Sequence, residues 1–338
     1  MNVKKSVSVV FRVDADEKLG LGHLSRCRSL MLALADATLC RFAVVTNNPD
    51  IVRKFLPQVD VDLYAVTDIG QIRHANIAII DVPDIAYREE ESLRCHADLL
   101  VVIDDDGPGM PYQDVLLRPN LLDLPLPAGM PLNDYWSGSN CIILHPDFRR
   151  LANHPKDKES KAKKLFVCFG GSDSGGLTLR IIPVLKQLKQ DMAIQIILGA
   201  AFVQIQAVID ETRDDSRFTV SRNISDMAER ISQADIALIS GGTLLYEACA
   251  LGTPAVVISQ NEAQAIEAGI CAAAGAVIDL RVGRMATDEK ILGALEKLLD
   301  DEGIRKSMAR KSPEIVSPDG VYHVVSKLLS RVRKEMEL

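Results

Sequence analysis

Short runs of β-branched and other apolar residues alternate along this chain with longer stretches whose apolar positions recur three or four residues apart. In the first half Val7 to Val13, Ala43 to Thr46, Ile77 to Asp81 and Leu99 to Asp104 have the composition and length of strands. Leu24, Cys27, Met31 and Leu34 repeat at helical spacing within Leu24 to Ala35, which gives that segment one apolar face to lay on a sheet. The same rhythm starts afresh in the second half, with strands expected at Lys164 to Phe169, Ile194 to Leu198, Phe218 to Ser221, Ile236 to Ser240, Ala255 to Ser259 and Ala276 to Leu280. Between the halves, Leu151 to Lys163 combine Pro155 with a dense mix of Lys, Asp and Glu and show no apolar period, so they read as a linker. The alternation predicts an α/β protein of two Rossmann-like domains, each a mostly parallel sheet with helices on both faces. Residues 1–152 form the first domain, 153–163 the linker, 164–318 the second domain and 319–338 a final helix. Ligands of such sheets bind beyond the carboxyl ends of the strands, so a cleft between the two domains is the expected site.

Composition narrows the class. A chain of 338 residues suits two cores of about 150 residues each. With 47% hydrophobic and 25% charged residues it has the profile of a soluble globular protein, and no apolar run reaches the roughly 18 residues that span a bilayer. Arg12 and Asp14 interrupt what would otherwise be the apolar segment of a secretory signal, so a cytoplasmic protein is expected. A net charge of −7 argues against a general nucleic-acid surface, and the cluster Lys156 to Lys164 reads as solvated linker. The seven cysteines are odd in number and include no Cys-x-x-Cys pair, and the six histidines lack metal-site spacing. Neither a cofactor nor a metal is expected.

Three glycine turns carry the candidate chemistry. Gly20-Leu21-Gly22-His23-Leu24-Ser25-Arg26 follows the first strand and opens the first helix, placing a histidine beside backbone amides and the positive end of a helix dipole. A histidine there can take a proton at neutral pH. Gly241-Gly242-Thr243 links a strand to a helix that carries Glu247 one turn on, a spacing that lets the helix end hold phosphates while the carboxylate reaches a ribose diol. Gly170-Gly171-Ser172-Asp173-Ser174-Gly175-Gly176 offers a third such turn, lacking both the Walker ending and the dinucleotide fingerprint. For each turn, tight α/β packing is the alternative reading, and it stays open. Asp14, at the first strand's end, is expected to bond the imidazole, a sugar hydroxyl or the loop backbone. Asp104-Asp105-Asp106 reads as a polar turn rather than a metal site.

These motifs taken together resemble a known family. Phe11-Arg12-Val13-Asp14, Gly20-x-Gly22-His23-x-x-Arg26-Cys27, Ile103-Asp104-Asp105, Leu117-Arg118-Pro119-Asn120, Phe169-Gly170-Gly171-Ser172-Asp173, Gly241-Gly242-Thr243-x-x-x-Glu247 and Gln260-Asn261-Glu262-x-Gln264 occur in the order seen in the UDP-sugar hydrolases of the pseudaminic acid pathway. That group is placed with the GT-B glycosyltransferases and with spore-coat polysaccharide proteins. The resemblance runs from Phe11 to Asp319-Gly320. It implies metal-independent hydrolysis of UDP-2,4-diacetamido-2,4,6-trideoxy-β-L-altrose, with inversion, to UDP and the free sugar. His23 is then the base that activates water; Asp14, from its place just before the histidine loop, is the second catalytic candidate. Gly242, Thr243 and Leu244 hold phosphates, Glu247 holds ribose, and Asn261 with Gln264 holds diphosphate or sugar. Arg12, Gly20, Gly22, Arg26, Gly170, Gly171, Ser172 and Asp173 complete the candidate substrate contacts. Leu244-Leu245-Tyr246 stands where those hydrolases carry a tryptophan, closer to the spore-coat pattern. A glycosyltransferase using the same UDP site and a non-catalytic nucleotide-sugar-binding module are the two rivals.

Overall fold

The computed structural model describes residues 6–16, 21–56, 59–82, 87–130, 134–153 and 161–336. The chain divides into two compact units, one of Met1–Pro146 with Asp319–Leu338 and the other of Asp147–Pro318. Gly20 and most of the expected linker lie outside the described residues.

The first unit is built on a seven-stranded parallel sheet: β1 (Val7–Val13), β2 (Cys40–Thr46), β3 (Val61–Ala65), β4 (Ala75–Asp81), β5 (Ala97–Ile103), β6 (Val115–Arg118) and β7 (Tyr135–Ser137). They lie in the order β3-β2-β1-β4-β5-β6-β7. Because side chains alternate across a strand, Val9, Phe11 and Val13 of β1 face one layer while Val10 faces the other. The first layer packs on Leu24, Cys27, Met31 and Leu34 of α1 (Gly22–Ala37), the face the helical period predicts. The opposite layer gathers Val45, Ala78, Ile80, Leu100 and Val102 under Leu93 of α3 (Tyr87–Cys95). Pro49–Phe55 forms α2, while Pro146–Ala152 forms α4, which falls in the second unit from Asp147 onward.

In the second unit a six-stranded parallel sheet runs β10-β9-β8-β11-β12-β13. Its strands are β8 (Lys164–Cys168), β9 (Ala193–Leu198), β10 (Phe218–Arg222), β11 (Ile236–Ile239), β12 (Ala255–Ser259) and β13 (Ile278–Val282). The helices are α5 (Leu177–Lys186), α6 (Ile205–Thr212), α7 (Met227–Gln233), α8 (Thr243–Ala250), α9 (Glu262–Ala273), α10 (Asp288–Asp300) and α11 (Glu302–Ile315). The last helix, α12 (Gly320–Met336), belongs to the first unit, where Val321, Val324, Val325, Leu328 and Val332 join the layer that holds α1.

All ten expected runs hold a strand, each starting and ending within three residues of its run; the largest offset is at β2, which begins at Cys40 rather than Ala43. Three strands, β3, β6 and β7, were not expected from the pattern. In each sheet the winding reverses next to the first strand, between β1 and β4 and between β8 and β11. In open α/β sheets that switch point is where ligands bind.

Candidate active site

At the β1/β4 switch point a helix and a strand end meet through polar side chains. Val13 pairs with Asp81, so the ends of β1 and β4 lie side by side. His23, Arg26 and Cys27 stand three and four residues apart on α1 and so share a face. All three reach Asp81, which is fully buried at the end of β4. His23 Nδ1 lies 2.7 Å from Asp81 Oδ1. Arg26 donates from Nη2 to the same oxygen at 2.6 Å and from Nε to Oδ2 at 2.8 Å. The Cys27 thiol sits 3.7 Å from Oδ2. Burial alone would push the Asp81 carboxyl up, but the charge of Arg26 and the hydrogen bonds from Arg26 and His23 bring it down to about 2. Asp81 is therefore an anion at neutral pH. It accepts the proton on Nδ1 and leaves the Nε2 lone pair of His23 free to take another.

The network extends one residue further. Arg26 Nη1 donates to Asp105 at 2.8 Å. Asp104 accepts the backbone N–H groups of Gly107 and Gly109, each at 2.8 Å, so it closes the turn after β5. Asn120 donates to the Asp105 carbonyl, and the buried Arg118 guanidinium donates to the Gly107 carbonyl. The triple-aspartate run is thus the polar turn expected of it, with one carboxylate turned back to α1. Among the described residues no group of three or more His, Cys, Asp or Glu is placed to hold a metal ion.

Several expected contacts take other partners. Asp14 does not reach the imidazole. It pairs with the buried Arg12 guanidinium at 2.7 Å and accepts from Asn47 N at 2.7 Å and Nδ2 at 2.9 Å, tying β1 to the turn after β2. Burial works against the Asp14 carboxyl, and the bonds from Arg12 and Asn47 hold it below its ordinary range. Arg12 and Arg26, both expected at substrate, spend their guanidinium groups on these aspartates. The partner of His23 is Asp81, the acid that ends an otherwise apolar strand.

In the second unit the β8/β11 switch point carries the two other glycine turns. Gly242 adopts φ +74°, which a side chain would strain, and precedes α8. A Cβ on Gly241 would lie 2.6 Å from Gln264 Cβ, so the turn closes directly on α9. No side chain caps α8 and its first turn carries no acid, which leaves the amides of Thr243 and Leu244 open to an anion. Glu247 sits one turn on, and burial pushes its carboxyl up to about 8.

The Gly170 turn differs. Gly170 has φ +86°, but Asp173, itself at φ +47°, accepts from the amides of Leu177 at 2.9 Å and Thr178 at 2.7 Å. The amino end of α5 is filled by the protein's own carboxylate, not left for a diphosphate. Likewise Asn261 caps α9 by accepting from Gln264 N at 2.9 Å, and Gln264 Oε1 accepts from Gln260 N at 2.9 Å. The Nε2 amide of Gln264 would lie 3.5 Å from a Cβ on Gly242 and so lines the open end of α8. Gln260, a motif residue with no role expected of it, donates to the Phe169 carbonyl and accepts from Ser174 Oγ at 2.7 Å, joining the turn before α9 to the Gly170 turn.

The fold is GT-B-like, with two Rossmann-like α/β domains. MurG from Acinetobacter baumannii superposes with a TM-score of 0.67 at 17% identity, covering 96% of this chain and 99% of that one. UDP-GlcNAc 2-epimerase from Neisseria meningitidis, solved bound to UDP-GlcNAc, gives 0.65 at 12% identity over 96% and 100%. In sequence the chain is 22% identical to the spore coat polysaccharide biosynthesis protein SpsG of Bacillus subtilis, over 96% of its own length and 98% of the relative's. It is 20% identical to the UDP-2,4-diacetamido-2,4,6-trideoxy-beta-L-altropyranose hydrolase of Campylobacter jejuni, over 72% and 89%. No protein-family model matches the chain. Among the described residues no helix is long and apolar enough to cross a membrane.

Proposed function

We propose that this protein is a nucleotide-sugar enzyme that hydrolyses a UDP-linked 2,4-diacetamido-2,4,6-trideoxy hexose to UDP and the free sugar, with inversion at C1, in nonulosonic (pseudaminic) acid synthesis. The observation that carries the reading is the His23–Asp81 pair, a histidine whose Nδ1 is committed to a buried anion, which leaves Nε2 as the ring nitrogen able to take a proton. Water gives its proton to Nε2 as its oxygen bonds the anomeric carbon, and the C1–O bond breaks with its electron pair leaving on UDP. The amides of Thr243 and Leu244 and the dipole of α8 stabilise the charge that develops on the diphosphate, work that needs no divalent metal. Gly242 lets that backbone approach the phosphates, and Glu247 takes the ribose diol. Relatedness to the Campylobacter hydrolase over most of both chains supports this substrate class.

A second reading passes the same sugar to a hydroxyl acceptor in surface polysaccharide synthesis. It is favoured by the full-length match to a spore coat polysaccharide protein. One experiment separates the two. The purified protein is incubated with a panel of UDP-sugars in water and the anomeric proton is followed by NMR. Release of free sugar in the inverted configuration supports hydrolysis, whereas UDP-sugars that stay intact until a hydroxyl acceptor is added support transfer. Turnover should persist in excess EDTA, and loss that Mg²⁺ restores would overturn the metal-free mechanism.

A further inference from the structure

Arg26 has no freedom left in this site. Its planar fork spends Nε and Nη2 on the two oxygens of Asp81, at 2.8 and 2.6 Å, and Nη1 on Asp105 at 2.8 Å. Asp105 is half exposed, yet its backbone is pinned by Asn120, and Asp104 and Arg118 hold the turn around it. A surface carboxylate on a turn held at its backbone, and bonded to one arginine, has a consequence for the neighbouring base.

With His23 neutral, the cluster of His23, Asp81, Arg26 and Asp105 carries two anions and one cation. Proton transfer from water puts an imidazolium 3.3 Å from the Arg26 guanidinium. The cluster is then neutral only because Asp105 supplies the second negative charge. Without it, two cations face one buried anion, and protonating His23 becomes harder. Among the described residues nearby, Arg12 and Asp14 pair with each other, the Asp104 carboxylate is held by the backbone amides of Gly107 and Gly109, Asp16 and Asp106 are the other acids of the two loops, and the Cys27 thiol is held neutral by burial and by Asp81.

We propose that Asp105 is a positioning residue for this reaction, acting through Arg26 to hold Asp81 and to balance the proton that His23 accepts. The proposal rests on the reading of His23 as the base. Its test is Asp105→Asn, which keeps size and shape, read by NMR titration of the His23 ring in the protein without substrate. A His23→Gln variant assigns the resonance. The midpoint of that titration should move to lower pH by about half a unit or more. With substrate, kcat should fall about 5- to 10-fold while KM and UDP affinity stay within about twofold. Asp105→Glu should restore part of both changes. Unchanged UDP affinity and thermal midpoint show that the variant is folded. An unmoved titration midpoint overturns the proposal whatever the rate does. If the midpoint moves but the unaltered protein releases UDP from no UDP-sugar, the charge balance stands and the hydrolase reading falls.

Discussion

Two carboxyl groups displaced in opposite directions define the chemistry at the scale of single residues. The Asp81 carboxyl is held at about 2, below its ordinary 3.8, so the stability it adds is complete above pH 3.8 and is lost as pH falls through about 2. That difference amounts to about 2 kcal/mol, which Asp81→Asn should remove from the acid limb of a denaturation profile. The same exchange offers an N–H where His23 needs an acceptor and so favours the wrong tautomer. UDP release should drop about 100-fold or more, checked by steady-state kinetics. Glu247 runs the other way. Burial lifts its carboxyl from 4.5 to about 8, so between those values the folded state holds a proton that the unfolded state has lost. Its contribution to stability is full below pH 4.5 and fades as pH rises through about 8. Glu247→Gln should flatten that decline by about 1–3 kcal/mol in urea melts from pH 5 to 9. Glu247→Ala should weaken UDP binding by about 1–3 kcal/mol in calorimetry, and no change would remove its ribose role.

The elements explain why only one glycine turn of the second unit stays open. Gly241→Ala would force its new methyl against Gln264 Cβ and part α8 from α9, costing about 1–3 kcal/mol of stability and about tenfold in UDP affinity, read by calorimetry and thermal melts. Gly171→Ala, where nothing lies within 4 Å, should change neither. The sequence pattern made the switch-point elements legible because β1, β4, β8 and β11 are apolar runs bounded by glycine or acid. It did not reveal β6 and β7, which are four and three residues long, or β3, where Asp62 breaks the apolar run. His23 could be picked out because helix mouth and glycine turn are local. Asp81 could not be matched to it, because its partners His23 and Arg26 lie 58 and 55 positions away and only the sheet order brings them together. Asp173 and Asn261 illustrate a different limit. A short polar residue in a strand-to-helix turn can serve a ligand or cap the helix beside it, and spacing alone does not distinguish these uses.

For the whole molecule the decisive fact is that the chain returns to its first unit with its last helix. Gly320 opens α12 against the Ile142 carbonyl, where a Cβ would clash with backbone. Beyond it, Val321, Val324, Val325, Leu328 and Val332 enter the core beside α1. Lys327 lies 4.8 Å from the Trp136 ring centre and Arg331 pairs with Asp134 at 2.9 Å, fixing the helix on β7. At about 1.5–3 kcal/mol for each buried aliphatic side chain, five of them approach or exceed the 5–15 kcal/mol that separates a folded domain from its unfolded chain. Removing residues 319–338 should therefore unfold the first unit while the second, whose core contains none of α12, stays intact. A fragment of residues 147–318 should accordingly give a cooperative melt and bind UDP with the affinity of the full chain, while releasing no sugar because it lacks His23 and Asp81. Calorimetry on that fragment tests the division of labour directly. Loss of UDP binding in a fragment that still melts cooperatively would mean that the first unit contributes to holding the nucleotide.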